Sequence, residues 1–393
     1  MSTSTSVHSN AFNFMSFIEG QVDPRTGQYT CSTKLPELLG NKLCGPVVPL
    51  HLNFNPLNSG DSGFGKGWNL QLSQFNPANG VLALYTGEVF KVNVQGSGIN
   101  IPEKKLDSFH FYALSNQRYR IEHKSGLVEI LEVGQGRLAM PVQLLSPQGH
   151  SVTLHYGAFG TDPLLSSINN ADGSQLLRLL RSNNEMKLIL HPGTDREALF
   201  VLNISGGQTQ SIVLPTHDSA SWRFNYIVVN GLTCLKHVNT PTAGHETVTY
   251  SGKPHYFPGT TDRTLPRVAS HTRDPGFGQP AIETRYTYGS NDSNKANDHN
   301  FLGYGSNIAW SDDGLDNLYK VSSNYEYETQ EHLWDASSNR AIRSTRRVYN
   351  RFHLMRTEEV KQNALLDDND TLFVTDIEYH IYPWMDFKDQ PNY

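Results

Sequence analysis

Ser59-Gly60-Asp61-Ser62-Gly63-Phe64-Gly65-Lys66-Gly67-Trp68 is the stretch that decides the fold class. It lies between two runs, residues 49–54 and 70–75, in which apolar and polar side chains alternate. Alternation with a period of two is typical of a strand with one buried face. The stretch therefore predicts a tight loop between two strands, with glycines at positive φ and Trp68 anchored in a core.

The same loop imitates two catalytic signatures without meeting their requirements. Gly60 to Gly67 reads G-x-x-x-x-G-K-G, but a phosphate-binding loop needs a hydroxyl residue where Gly67 stands and a helix after it. Gly60-Asp61-Ser62-Gly63 is similar to the nucleophile turn of trypsin-like proteases, which needs a distant His base held by a buried Asp. His8 and His51 precede the loop, and neither lies in a motif typical of such a base. We expect a structural turn rather than a nucleotide site or a nucleophile.

Composition narrows the class of protein. The 393 residues carry a net charge of −6 with a pI near 6.2, and no basic face predicts nucleic-acid or membrane-surface binding. No apolar run approaches the roughly 20 residues of a spanning helix. The polar first ten residues lack a secretory signal, so we expect cytoplasmic synthesis and release by a signal-independent route. Cys31, Cys44 and Cys234 are widely spaced, which favours reduced thiols over a disulfide framework or a zinc site.

Turn signals recur along the chain between strand-like runs. They fall at Thr86-Gly87, Lys124-Ser125-Gly126, Pro147-Gln148-Gly149, Asp172-Gly173, Gly206-Gly207 and Asn230-Gly231. Three of the five intervals between them are 23 or 24 residues, which is close to one hairpin and indicates a degenerate repeat. Residues 343–362 allow a helix on propensity, but Asn350 and the alternation around it favour another hairpin. The pattern predicts an all-β fold of consecutive antiparallel hairpins in a long curling sheet, with few or no long helices.

Three stretches share one pattern, in which a Tyr ends a strand, a turn follows and Leu opens the return strand. They are Tyr349-Asn350-Arg351-Phe352-His353-Leu354, Tyr226 with Asn230-Gly231-Leu232, and Tyr156 with Leu164, Leu165 and Ile168. These stretches resemble degenerate forms of the tyrosine–aspartate (YD) repeat of Rhs proteins, in which Tyr-Asp opens a turn that ends in Gly-Arg-Leu. No Tyr-Asp dipeptide occurs here, so we expect any regular repeats to lie beyond residue 393.

The front of the chain extends this resemblance. It carries Val22-Asp23-Pro24-Arg25-Thr26-Gly27-Gln28-Tyr29 and Leu52-Asn53-Phe54-Asn55-Pro56-Leu57 in addition to the glycine-rich loop. These stretches resemble the N-terminal region of bacterial Rhs-repeat proteins, which are related to the shell-forming B and C components of Tc-type insecticidal toxin complexes. Phe301-Leu302-Gly303-Tyr304-Gly305 and Trp310-Ser311-Asp312-Asp313-Gly314-Leu315 fit the same group. The self-cleaving aspartyl segment and the toxic C-terminal domain of such proteins are absent from this sequence.

The resemblance implies a non-enzymatic shell that encloses a toxin until delivery. Its partners would be its own C-terminal effector region or a separate toxin chain, and a secretion or Tc-type delivery component; we expect a monomer that binds neither nucleic acid nor a cofactor. Four segments follow: a polar leader with an apolar plug (residues 1–26), hairpins of the shell (27–290), an exposed loop (291–300), and further hairpins that continue past the last residue (301–393). Stacked hairpins suit this role, because each one is marginal alone and stable beside its neighbours.

Parts of the sequence are also compatible with other functions. The main alternative is a carbohydrate-binding β protein, because exposed aromatic rings can stack on sugars. A β-propeller hydrolase should show evenly spaced blades of about 40–50 residues, and the turns here are uneven. Sixteen histidines form no His-Glu-x-x-His motif, so we expect neither catalytic residues nor a metal site. Asp312-Asp313-Gly314 and Asp367-Asp368-Asn369-Asp370 lack the ligand spacing of an EF-hand, and acids that accept from backbone amides in turns are the favoured interpretation.

Overall fold

The chain folds entirely as β-structure. The computed structural model describes residues 7–11, 21–58, 60–95, 98–115, 117–289, 298–363 and 371–379, together with 382, 385 and 387–390. Within this part of the chain there are 29 strands, short 3-10 turns and no α-helix, and 22 of the strands belong to one large antiparallel sheet. The predicted all-β class with few helices is confirmed. The predicted division into four segments stays a prediction.

The chain divides into two compact units, which are described separately. The first comprises Cys31–Arg223, and the second comprises Ser6–Thr30 and Phe224–Tyr393. Strands of the first unit are β1 Cys31–Leu39, β2 Val47–Phe54, β3 Trp68–Leu70, β4 Gln74–Asn76, β5 Val81–Ala83, β6 Val89–Lys91, β7 Asn93–Gln95, β8 Gly98–Asn100, β9 Phe109–Ser115, β10 Arg118–His123, β11 Val128–Val133, β12 Ala139–Leu145, β13 Ser151–Phe159, β14 Asp162–Asn170, β15 Gln175–Arg181, β16 Glu185–Leu190, β17 Ala198–Ser205 and β18 Gln208–Val213.

The division between the units falls inside one strand, β19 Ser221–Val229. Strands of the second unit are β20 Leu232–Asn239, β21 His245–Tyr250, β22 His255–Tyr256, β23 Thr264–Leu265, β24 Val268–Asp274, β25 Ile282–Tyr288, β26 Glu326–Asp335, β27 Arg340–Asn350, β28 Met355–Gln362 and β29 Thr371–Asp376. From β24 to β29 each strand pairs antiparallel with the next one along the chain. The first unit repeats this order from β9 to β18.

The predicted hairpins form at the predicted turns. Asn230 and Gly231 have φ of 51° and 78°, the left-handed pair that a two-residue hairpin loop requires. In the second unit the hairpin expected over residues 343–362 is present as β27 and β28. Asn350 closes its turn, because the side-chain oxygen accepts from the backbone amides of Phe352 (2.9 Å) and Leu354 (3.1 Å). Short side-chain acceptors of this kind stabilise turns, so hairpin rather than helix is the outcome that local chemistry favours.

The glycine-rich loop joins two antiparallel strands, as the sequence predicts. β2 pairs with β3, and Trp68 is fully buried with its ring 5.7 Å from that of Phe54. Gly67 has φ of +84°, and a Cβ there would stand 2.4 Å from the Phe54 ring. Both its backbone conformation and its surroundings therefore require glycine.

One strand prediction is wrong in this region. Residues 70–75 do not form one strand: β3 ends at Leu70, and β4 begins at Gln74 in the large sheet. The chain leaves the three-stranded sheet of β1, β2 and β3 at this break and enters the large sheet. Ser73 lies in the crossing and is fully buried, which the alternation of apolar and polar residues did not reveal.

Two layers meet in the first unit. The three-stranded sheet is tied to the large sheet by Asn41, whose backbone amide donates to the side chain of Asn170 (2.8 Å) and whose side chain donates to the carbonyl of Ser151 (2.8 Å). A second pairing of β12, with β4 at Ala139 and Phe75, turns the large sheet back on itself. The strands so joined share one apolar core, made by Phe75, Leu82, Leu84, Phe90, Val92, Phe109, Phe111, Tyr119, Ile121, Leu131 and Ala139.

Some predicted features lie outside the described residues. These are the apolar plug at residues 12–18, most of the exposed loop at 291–300, and the acidic run at 367–370. Pro36 lies within the nine-residue strand β1, although proline cannot donate a ladder hydrogen bond. The register of β1 against β2 shifts between Leu35 and Leu38, so the strand accommodates the proline at a bulge.

Candidate functional site

A buried carboxylate organises a polar cluster in the first unit. Glu129 lies on β11 and is 2% exposed. Its Oε1 atom accepts from the Ser73 hydroxyl at 2.7 Å and contacts His123 Nε2 at 2.6 Å. The Ser73 hydroxyl in turn accepts from the backbone amide of Tyr85 at 2.9 Å. Serine, histidine and glutamate are thus brought together from the strand crossing, β10 and β11.

The Glu129 carboxylate raises the pKa values of two neighbouring phenols. Burial raises the pKa of Tyr85, and the nearby Glu129 carboxylate raises it further. Burial and the same carboxylate raise the pKa of Tyr156 above its ordinary value. Both phenols therefore stay protonated at neutral pH, and the Tyr156 hydroxyl donates to the carbonyl of Pro141 at 2.8 Å. The arrangement surrounds one buried carboxylate with hydrogen-bonding groups.

This cluster has the wrong order for nucleophilic catalysis. An activated serine donates to a histidine base, and the carboxylate holds that base from its far side. Here the carboxylate stands in the middle, and both Ser73 and His123 bond to the same oxygen of Glu129. The Ser73 side chain is fully buried as well. The geometry anchors the chain at the crossing between two sheets and leaves the serine without a base.

The second unit holds a cluster of the same kind. Asp316 is 1% exposed, and its Oδ2 atom lies 2.9 Å from His353 Nε2 and 3.1 Å from the hydroxyl of Ser9. The backbone amide of Asn10 donates to the same oxygen at 2.5 Å. Ser9 Oγ and His353 Nε2 are 3.4 Å apart, so the serine is closer to the carboxylate than to the imidazole. Again a carboxylate is the central acceptor.

Electrostatics favour the ionised form of Asp316. Burial by itself raises the pKa of this carboxyl, but the positive charge of His353 and the surrounding donors outweigh it and lower the pKa below its ordinary value. The other ring nitrogen of His353 is 3.0 Å from the hydroxyl of Tyr327. Every group in the cluster is buried, so it functions as an internal clamp on the segment that contains Ser9.

The serine of the protease-like turn makes only a structural bond. Ser62 Oγ donates to the backbone carbonyl of Trp68 at 3.1 Å. The side chain of Asp61 accepts from the backbone amides of Gly63 and Gly65, each at 2.8 Å. A strand follows the loop where a phosphate site would need a helix. The described part of the loop therefore matches neither catalytic signature.

The acidic turn at residues 312–314 is paired with cations of the protein. Arg263 forms a two-pronged bond to Asp312 at 3.1 to 3.2 Å, and Trp310 donates to the same carboxylate at 2.8 Å. Asp313 accepts from Lys320 at 2.7 Å and from a backbone amide, that of Leu315, at 3.0 Å. Asp313 is thus the amide-accepting turn acid that the sequence favours, whereas Asp312 pairs with an arginine.

Within the described ranges, no group of three or more His, Cys, Asp or Glu side chains is arranged to hold a metal ion. Cys31, Cys44 and Cys234 are free thiols. Burial raises the pKa of Cys234 to about 12, so its reactive thiolate is not populated at neutral pH.

A cavity of about 180 Å³ lies next to the Glu129 cluster. The apolar part of its lining comes from both layers of the first unit, with Val48 on β2 and Leu144 on β12. Glu129, Tyr85 and Glu37 supply polar groups. Sequence reasoning missed this site, because the residues that build it are separated by as many as 107 positions and no local motif connects them.

Solved structures are similar to this chain. The chain is similar to a crystal structure of TcdB2-TccC3, with 14% identity and a TM-score of 0.33 over 67% of this chain. It is similar to a crystal structure of TcdB2-TccC3-TEV, with 12% identity and a TM-score of 0.23 over 90% of this chain. In both cases it spans only 16% of the other chain. No protein-family model and no curated protein matches the sequence.

In the described ranges, the structure contains no helix that is long and apolar enough to cross a membrane.

Proposed function

We propose that this chain is a non-enzymatic structural segment of an Rhs-type toxin shell, which encloses a C-terminal effector or helps to deliver it. The motifs at residues 22–29 and 349–354 motivate the proposal through their resemblance to Rhs and Tc-type shell proteins. The observation that carries it is the order of the large sheet. Strand after strand pairs with its neighbour in the chain, so added hairpins extend one wall without a new core.

The polar clusters are consistent with a structural role. A wall that is built only from marginal hairpins needs contacts that hold distant segments in place. Glu129 and Asp316 provide such contacts at buried positions, with the carboxylate as the shared acceptor. In both clusters the serine hydroxyl is closer to the carboxylate than to the imidazole. We therefore propose that the chain supports and encloses rather than catalyses.

Strand β29 supports contact with further β-structure. All six of its residues are exposed, and three consecutive apolar side chains, Leu372, Phe373 and Val374, are 58%, 55% and 52% exposed. A strand with exposed apolar residues promotes association when it is left uncovered. We propose that more of the same shell covers β29 in the assembled protein.

The test is electron microscopy of the protein purified from its native host together with every polypeptide that co-purifies. The proposal expects a hollow particle that protects a further polypeptide from added protease until the particle is denatured. A solid particle, or a co-purifying polypeptide that is digested at once, contradicts it.

Screening on a glycan array tests the carbohydrate-binding alternative, because that function requires reproducible binding to a defined sugar and the shell does not.

A further inference from the structure

The cavity beside Glu129 has the chemistry of a binding site for a small organic cation. Its polar groups include two carboxylates, Glu129 and Glu37. Of the described residues that line it, none is a lysine or an arginine. Glu129 is buried at 2% exposure, whereas Glu37 and Val47 are exposed and mark the mouth. A ligand that enters there passes one carboxylate and reaches another.

Glu129 keeps one oxygen atom available for a ligand. Its Oε1 atom is occupied by Ser73 and His123, while Oε2 has no hydrogen-bond partner among the described residues. Both of these contacts are made to Oε1, so neither of them occupies Oε2. An ammonium group that donates to Oε2 would form a charge-assisted hydrogen bond with this carboxylate.

The rest of the lining determines what carries the positive charge. The apolar part of the lining comes from Val48, Pro49, Leu72, Leu127 and Leu144. An apolar cavity of about 150 Å³ is large enough to bind benzene, so about 180 Å³ accepts a ring or a short alkyl chain with one polar group. A hydrated metal ion gains nothing from such walls, whereas the stem of a primary amine is buried by them.

We propose that this cavity binds a primary ammonium group on a short apolar stem, with the ammonium bonded to Glu129 Oε2 and the stem between the walls of Leu72 and Leu144. Tyr85 lines the same cavity and would give the ammonium an aromatic neighbour. This site is independent of the proposed shell function, because it requires only the folded first unit.

The experiment is isothermal titration of the full chain with benzylamine, benzyl alcohol and benzoate. Benzylamine and benzyl alcohol have nearly the same shape and differ in charge. A hydrogen bond to a charged group is worth about 1.5–3 kcal/mol, so we expect benzylamine to bind about tenfold or more tightly than benzyl alcohol. Benzoate should give no saturable heat. Equal binding of the amine and the alcohol overturns the proposal, as does the absence of saturable binding by benzylamine.

Two variants locate the binding. Glu129→Gln removes the charge, and we expect it to abolish the preference for benzylamine over benzyl alcohol. Glu132→Gln is the matched control, because Glu132 lies on the same strand and is exposed; it should leave both affinities unchanged. Should Glu129→Gln fail to fold, the comparison of the three ligands on the unaltered chain still decides the question. A preference that survives in folded Glu129→Gln places the site elsewhere and refutes the assignment.

Discussion

Replacing Asp316 by asparagine tests whether the buried clusters hold the fold together. The substitution keeps the shape of the side chain and removes its charge. Four donors converge on this carboxylate: the backbone amides of Asn10 and Leu318, the hydroxyl of Ser9, and His353 Nε2. An asparagine amide has one oxygen, so its NH₂ group must face at least one of these donors.

The expected loss follows from this geometry. A buried donor that loses its acceptor costs about 1–3 kcal/mol, and a buried ion pair that loses one partner costs about 3–5 kcal/mol. We therefore expect Asp316→Asn to lower the free energy of unfolding of the second unit by about 3 kcal/mol. With a denaturant slope of about 3 kcal/mol per molar, the urea midpoint falls by about 1 M.

The assay is urea unfolding followed by circular dichroism, with hydrogen exchange of the peptide that contains Asp316 as the local measurement. Asp313→Asn is the control, because Asp313 lies in the same turn region and forms a half-exposed ion pair with Lys320. Exposed pairs contribute about 0–1 kcal/mol, so this control should change little. Equal effects of the two substitutions would refute the view that the buried cluster is a clamp.

The pH dependence of the same comparison has a definite sign. The pKa of Asp316 is lowered in the folded protein, because its interactions with His353 and the other donors outweigh its burial. The stability it contributes is present above the ordinary carboxyl pKa of 3.8 and is lost as the pH falls through the lower, folded value. The difference between the original chain and Asp316→Asn should therefore be full at neutral pH and shrink in strong acid.

Two further predictions concern other buried positions. Burial, together with nearby Arg267, holds the pKa of His255 well below 6.5. Its Nε2 lies 3.1 Å from the carbonyl of Thr26 and its Nδ1 has no hydrogen-bond partner, so the N–H formed by protonating Nδ1 would have no acceptor. As the pH falls, the unfolded chain binds this proton before the folded chain does. The free energy of unfolding should therefore decrease below about pH 6.5, by up to about 1.4 kcal/mol per pH unit. Calorimetry at several pH values should show a smaller decrease for His255→Gln. Gly65→Ala should lower the free energy of unfolding, measured in urea, by about 1–2 kcal/mol or more, because Gly65 has φ of +89° and its Cβ would stand 2.6 Å from Thr209 Oγ1. Gly60→Ala is the control and should change this free energy little, because a Cβ there meets nothing closer than 3.9 Å.

The hairpins could be predicted from the sequence because their information is local. Asn230-Gly231 and Asn350 determine turns through their own backbone preference or side-chain acceptor, and the alternation beside them places the strands. The break at residues 71–73 could not be predicted in this way, since the alternation continues through it. What ends the strand is the pairing of β3 with β2 and of β4 with β5, which involves distant partners.

The polar clusters were invisible to sequence reasoning for the same reason. Ser73 and Glu129 are 56 residues apart, and Ser9 and Asp316 are 307 apart. No spacing rule connects such pairs, and the sequence suggested only separate acids in turns. The cavity beside Glu129 has the same origin, because its walls come from two different sheets.

Contacts within the second unit explain the motif at residues 22–29. Asp23 is 1% exposed and accepts from the Thr26 hydroxyl at 2.7 Å, which closes the turn. Gln28 then donates to the carbonyl of Pro266 at 2.6 Å, and Tyr29 donates to Glu246 at 2.9 Å. A short segment from the front of the chain is thus bonded to β-structure more than 200 residues later. Because these bonds require a closed turn at fixed spacing, the motif is explained by assembly of the sheet.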